Sequence, residues 1–472
     1  MPLDHVTLQS KCCQLLPATR TREYSCTTPA GCSISCCPCR HVEAYYLCPS
    51  SLQPTMPTTC LHTCRNKEYH PPRASFLPPE LIDHIIGYLH DDHASLKQCA
   101  LTCHALLPRA RFHRFFSVKL GQYTFERFLQ LLDASPDIAL CVRNLTIVVQ
   151  QTNAFFSTYD NELWVEKHLL KLAPRFRSIQ KLEIRKYNTL KAAPFKAFTS
   201  VKELVLRQCS CFSMHEYTDL MSSFPSLESF MNVDVMVGKS VHINDAVQDA
   251  PPLRALEFVN CKVDPTMFVD WLISQSVQQH AERITLAPMQ KQALIPVGRY
   301  FKSAGASIKH LRLCLVLLLS QGGISDECIS EFSLAPLVGL ETIEFGSPAA
   351  FARQYQADDQ SFTWIATMLE QITSPRIRTV SFALWQGDLD QIQSSDDWDK
   401  ITALLSSEQF RSLQGVEFHI LANDEEKEKM VSILEYRLSG LKNRELLKFD
   451  LNPSKERYFP GLTTTTPRSL YQ

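Results

Sequence analysis

The sequence predicts an α/β chain in which a short three-helix unit precedes a degenerate repeat solenoid, a horseshoe with parallel strands on its inner face. Three observations lead there. One short apolar phrase recurs from about residue 140 to about residue 450. A stretch with a helical period stands just ahead of it, between Phe76 and Val118, and the residues before that carry neither pattern.

Composition bounds the classes. Of 472 residues, 45% are hydrophobic and 21% charged, the balance of a chain that folds as two or three units or as one elongated array. Lys+Arg 48 against Asp+Glu 49 leaves a net charge of -1. No global field therefore recruits nucleic acid or an anionic membrane, and a protein partner is expected. The first ten residues show neither a basic leader nor an apolar run, and the longest apolar run, Leu313 to Leu319, is too short to cross a bilayer. The 18 cysteines are accordingly expected as reduced thiols, in a cytoplasmic or nuclear protein.

Ten of those cysteines, from Cys12 to Cys64, lie among Pro, Thr and Ser with no helical or strand period, so residues 1–73 read as a disordered Cys-rich leader. Cys36 and Cys39 form a C-x2-C pair, Cys60 and Cys64 a C-x3-C pair, with His41, His62 and His70 nearby. Extra thiols at Cys37 and Cys48 blur the ligand set, and no helix or hairpin frames the pairs as a zinc module needs. No metal and no other cofactor is expected.

The helical unit is placed at residues 74–118. Leu81, Ile85 and Leu89 recur at four-residue spacing beside Ile82 and Ile86, the pattern of an amphipathic helix. Pro78 and Pro79 sit at its first turn, where a missing N–H costs nothing, and Glu80 faces the positive helix end. Asp91, Asp92 and Ser95 supply stop and restart chemistry before a second helix carrying Leu96, Ala100, Cys103 and Leu107, which Pro108 ends. A third segment, Arg109 to Val118, brings Phe112, Phe115 and Phe116.

Residues 119–455 hold the phrase φ-x-x-φ-x-φ, where φ is apolar: VRNLTI (Val142 to Ile147), IQKLEI (Ile179), VKELVL (Val201), LRALEF (Leu253), AERITL (Ala281), IKHLRL (Ile308), LETIEF (Leu340), IRTVSF (Ile377) and LQGVEF (Leu413). LESFMN (Leu227) and RELLKF (Arg444, with its strand at Leu447 to Phe449) are weaker copies. Stretches such as Asp264 to Ser274, Phe362 to Ile372 and Trp398 to Leu405 read as helices between them. Intervals run from about 22 to about 37 residues, the range of a leucine-rich repeat, although the consensus Asn of such a ladder is mostly missing. One unit cannot bury its apolar side alone; stacked units can. The competing reading is an ordinary α/β fold with a parallel sheet. Residues 456–472 read as a flexible tail.

The stretch LPPELIDHIIGYLHDDHASLKQCALTCHALLPRARFHRFFSV, Leu77 to Val118, resembles the F-box of the expanded families found in mushroom-forming fungi. The resemblance is carried by Leu77-Pro78, Glu80-Leu81, Ile85-Ile86, Leu89 and the run Cys99 to Cys103; where many members place a tryptophan, Leu106 stands in the region. It covers about one tenth of the chain, and the repeats that follow are similar in style to those of F-box proteins with leucine-rich repeats. It implies docking onto a Skp-type adaptor, and through it a cullin-RING ligase, by Leu77, Pro78, Leu81, Ile82, Ile85, Ile86, Leu89, Leu101 and Cys103. A unit of about forty residues with apolar residues on more than one helix face needs a partner on independent grounds.

On the inner face, Glu183, Arg185, Arg207, Glu257, Arg312, Glu344, Glu417 and Lys448 are the residues expected to meet a protein substrate, their mixed signs suiting a polar protein surface better than a phosphate backbone. No catalytic residue is expected. Gly238-Lys239-Ser240 resembles the end of a phosphate loop, but its first glycine would fall at Val233, and neither H-E-x-x-H, G-x-S-x-G nor G-x-G-x-x-G is present. The chain is thus read as a non-catalytic substrate receptor of a ubiquitin ligase, the alternative being a stand-alone binding scaffold.

Overall fold

The computed structural model describes residues 77–149, 158–188, 190–238, 250–274, 281–289, 291–315, 332–347 and 362–454. The cysteine-rich leader with its two cysteine pairs, Lys239 and Ser240, and the tail lie outside them. The chain divides into units Met1–Pro79 and Glu80–Gln472, and the sheet belongs to the second.

Three helices come first: α1 (Pro79–Gly87), α2 (His93–Thr102) and α3 (Leu107–Phe115). Asp92 is the N-cap of α2, accepting hydrogen bonds from the backbone N–H of Ala94 and Ser95 at 3.0 Å each, and the Ser95 hydrogen bonds hold its carboxyl below the usual value. Pro108 does not end the second helix, as the sequence suggested; it lies in the first turn of α3, where its fixed φ is an asset, and α2 stops at Thr102. Each helix buries one apolar residue almost completely, Ile86, Leu96 and Ala110. Phe115 of α3 packs against the main core.

The sheet has twelve strands: β1 (Ser117–Gly121), β2 (Asn144–Val148), β3 (Lys181–Arg185), β4 (Glu203–Arg207), then, past the short β5 (Ser210–Cys211), β6 (Ser229–Val233), past β7 (Met236–Val237), β8 (Ala255–Val259), β9 (Arg283–Met289), β10 (His310–Leu315), β11 (Thr342–Gly346), β12 (Thr379–Trp385), β13 (Gly415–Leu421) and β14 (Leu447–Asp450). All pair in parallel, each with the strand before and after it. A doubly wound sheet would reverse direction at a switch point. This one advances in a single direction, the topology of a solenoid-like repeat region. Every phrase read from the sequence holds a strand. The sequence reading missed β1 because its phrase, FFSVKL (Phe115 to Leu120), was assigned to the helical unit, so the boundary drawn at 118/119 cuts through the first strand.

Alternation explains the layering. One register row runs from Leu145 through Leu182, Leu204, Phe230, Leu256, Ile284, Leu311, Ile343 and Val380 to Val416, and a second, two residues on, from Ile147 to Phe449. Both point to the side where the intervening helices lie and join one continuous core. The second row ends in an aromatic ladder, Phe345, Phe382, Phe418 and Phe449, with ring centroids 5.8, 5.2 and 5.5 Å apart and nearly parallel planes. Trp398, fully buried, lies 5.4 Å from Phe382. The polar exception is Asn232, whose Oδ1 accepts a hydrogen bond from Tyr217 at 2.9 Å.

The chain leaves four successive strands by the same device. Lys186, Gln208, Asp234 and Asn260 take left-handed φ of 60°, 53°, 53° and 54°, and their N–H groups donate to Arg207, Val233, Val259 and Ala287 carbonyls of the next strand, adding a rung to each ladder. That turn swings the following residue, Tyr187, Cys209, Val235 or Cys261, toward the interior. The Cys209 thiol donates to the carbonyl of Ile184, one repeat back, at 3.4 Å. Burial pushes the Cys209 and Cys261 thiols up to about 12.

Truncating Phe418, between two stacked neighbours, is expected to cost about 3–5 kcal/mol as Phe418→Ala. Phe449→Ala, at the half-buried end of the ladder, should cost clearly less; urea unfolding of both variants measures the difference.

Candidate functional site

Two surfaces stand out, one on the helices and one on the sheet. Along α1 and the turn that follows it, Ile82, Ile86 and Leu89 turn inward, with Ile86 only 2% exposed and the other two half-buried. Leu81, Ile85 and Tyr88 form a second stripe at the same i, i+4, i+7 spacing, and they are 50%, 51% and 75% exposed. Leu101 on α2 is 65% exposed, and Cys103 is exposed beside it in sequence. The helix thus carries two apolar stripes, of which the fold covers one. Ile86 was expected among the adaptor contacts that the resemblance implies; at 2% exposed it is already covered by the fold, and four-residue spacing cannot tell a covered stripe from an open one. Leu77 and Pro78 are exposed and precede α1.

On the sheet face away from the core, one residue per strand makes a third register row: Lys119, Thr146, Glu183, Val205, Met231, Glu257, Thr285, Arg312, Glu344, Ser381, Glu417 and Lys448. Six of the eight residues read from the sequence as inner-face contacts therefore share this row, and Arg185 and Arg207 are mutual partners two positions along their strands. The structure gathers them into three groups. Glu183 receives Arg185 at 2.9 Å and Arg207 at 2.6 Å. Arg312 pairs with Glu344 at 3.1 Å. Lys448 reaches Glu417 at 3.5 Å. The alternating signs thus pair largely with each other, and Glu183 and Glu344 are buried, 8% exposed each. Burial alone would raise the Glu183 carboxyl, but its two guanidinium partners outweigh burial and hold it below the usual range.

Glu257 departs from this pattern. Burial pushes its carboxyl up, and the attraction of Arg312 and Arg283 does not offset it. It lines a recess of about 530 Å³ on the sheet face together with Arg207, Met231, Arg283, Arg312 and Glu344. His310 stands there too, its Nδ1 2.9 Å from Thr342 Oγ1 and its ring held below the usual value by burial and then by Arg283. Arg283, His310 and Thr342 were missed because the positions read as facing inward were the x between the last two apolar positions of each phrase and, at Arg185 and Arg207, the residue just after it. The same period-2 alternation puts the third position of A-E-R-I-T-L, I-K-H-L-R-L and L-E-T-I-E-F on that face as well. A smaller cavity of about 120 Å³ beside the helix Pro265–Ser274 is lined by core-facing residues such as Phe258, Phe268 and Val297.

Among the described residues, no group of His, Cys, Asp or Glu is arranged to hold a metal ion, and no helix is long and apolar enough to cross a membrane. Burial raises the Cys314 thiol to about 12, and that of Cys211 further.

The two glutamates should respond oppositely to pH. Glu183, with a lowered folded value, adds stability that is present above its ordinary value of 4.5 and lost as pH falls through the folded one. Glu183→Gln is expected to cost roughly 1–3 kcal/mol at neutral pH. Glu257, with a raised folded value, subtracts stability as pH rises above 4.5 and through its folded value. Glu257→Gln should therefore raise the melting temperature at neutral pH and lose that gain on acidification below 4.5; melting curves of both variants across pH check the two signs. Comparison of the chain with known protein families and with curated proteins found no match.

Proposed function

We propose that the chain is a substrate-receptor subunit of an SCF-type cullin-RING ubiquitin ligase, with α1 to α3 as an F-box docking a Skp-type adaptor and the sheet as a leucine-rich-repeat region binding a protein substrate. The observation that carries the reading is the uncovered apolar set Leu81, Ile85, Tyr88 and Leu101, half or more exposed on the helices just ahead of the repeat array. Large apolar side chains left open in this number on two neighbouring helices of the sequence suit a surface that a partner covers. The resemblance adds Leu77, Pro78 and Cys103 to that contact. Cys209 and Cys261, thiols following their strands at the place where leucine-rich repeats carry Asn or Cys, support the repeat assignment.

The chemistry asked of such a subunit is proximity. It holds a substrate next to a charged conjugating enzyme and raises the effective concentration of the substrate's lysines, so no side chain of its own needs to react. A cytoplasmic or nuclear location follows from the same reading. The second reading, a stand-alone binding scaffold, rests on Phe115, through which α3 joins the main core as a cap would.

Capture of the full chain on a purified Skp-type adaptor separates the two. Ile85→Asp and Leu81→Asp, at exposed positions, should leave the fold intact and weaken capture about thirtyfold, the equivalent of roughly 2 kcal/mol each. Capture that is absent in the wild type, or unchanged in both variants, would leave only the scaffold.

A further inference from the structure

The carboxylates of the open sheet face follow a rule with one exception. Glu183 is held by two arginines, Glu344 by Arg312, Glu417 by Lys448, and Glu203, two positions back along β4, by Lys181 at 2.5 Å. Glu257 sits mid-row, half-buried, and among the described residues it makes no hydrogen bond and no ion pair. Arg312, the cation that acts on it most strongly, is already held by Glu344. Arg283 is exposed, on the neighbouring strand and two positions from the register partner of Glu257. A carboxylate taken from water and given no partner is costly to keep ionised. Beside it the recess opens, with Met231 as the adjacent register position.

From this geometry we infer that the recess receives a lysine or arginine side chain of a bound protein segment, its cationic end on Glu257 and its apolar stem along Met231. The inference rests on reading the open sheet face as protein-binding, and not on the adaptor contact. A long basic side chain fits both demands: its methylene stem covers an apolar neighbour while its head supplies the missing charge. The acidic side chains of the row offer no second vacancy of this kind among the described residues, so one basic residue is selected rather than a basic run. Arg283, uncommitted to any ion pair among the described residues, stands beside that position and disfavours a second cation. Once bound, the cation also draws the Glu257 carboxyl back toward its ordinary range.

The test is selection of a random-peptide display library on the immobilised full chain, wild type against Glu257→Gln and Glu257→Lys. The wild type should enrich Lys or Arg at one common position about tenfold over the Glu257→Gln chain. Glu257→Lys should lose that enrichment and favour Asp or Glu there instead. Basic enrichment that persists in Glu257→Gln, or no enriched peptide on the wild type, overturns the inference. Melting curves confirm that the variants are folded. Adaptor capture is measured on the same preparations: Glu257-dependent enrichment without capture would retire the ligase reading and leave this one standing, while capture without enrichment would do the reverse.

Discussion

Parallel pairing in strict succession is the constraint on which this molecule depends. A parallel strand cannot satisfy its backbone by folding back on itself, so each inner strand of the twelve takes its hydrogen bonds from the strand before and the strand after it in the sheet. Register is therefore inherited from one neighbour to the next. A slip of one residue would carry Leu182, Leu204 and Leu256 to the open face and drag Glu183 and Glu257 into the core. The apolar rows on one side and the charged row on the other are two views of that single alignment. The energetic coupling is local in the same sense: each unit's burial is completed by its neighbours, and the aromatic ladder from Phe345 to Phe449 is four such units sharing one stack.

The local alignment also shapes the open face. Because equivalent residues of adjacent strands stand side by side, opposite charges find each other across the sheet without any long-range design, as Arg312 and Glu344 do. Longer side chains reach further, which is how Arg312 acts on both Glu344 and Glu257. Where a Met or a Thr interrupts the run of charges, at Met231 and Thr285, the neighbouring carboxylate is left without a mate. The recess is thus a product of sequence order along the row, not of any special loop.

Much of this was legible beforehand, for a physical reason. A phrase with apolar residues at its fourth and sixth positions encodes a two-sided strand, and eight of the face residues follow from that alternation alone. What escaped was whatever serves two elements at once or depends on neighbours. The phrase of β1 begins at Phe115, which also ends α3, so the strand was taken for part of the helical unit; Pro108 reads as a stop or a start depending on which turn it occupies; Ile86 and Ile85, adjacent and chemically alike, end up on opposite sides of a helical surface. Pairing was the least visible of all, since Thr146 and Glu183 stand 37 positions apart and Glu183 and Arg207 stand 24 apart, with no mark of either contact in between. Cys209, in the turn after β4, likewise sets its thiol on a backbone carbonyl of the preceding unit, a contact with no mark in the sequence.

The interior thiols have a practical consequence. Cys209, Cys261 and Cys314 belong to β4, β8 and β10 or the turns after them, and burial leaves each protonated across the physiological range. An alkylating reagent reaches the buried Cys209 and Cys314 only when their own layers open, so these two act as separate clocks along the array. Their relative rates of modification would map where a quasi-one-dimensional molecule breathes first, with no label added to it.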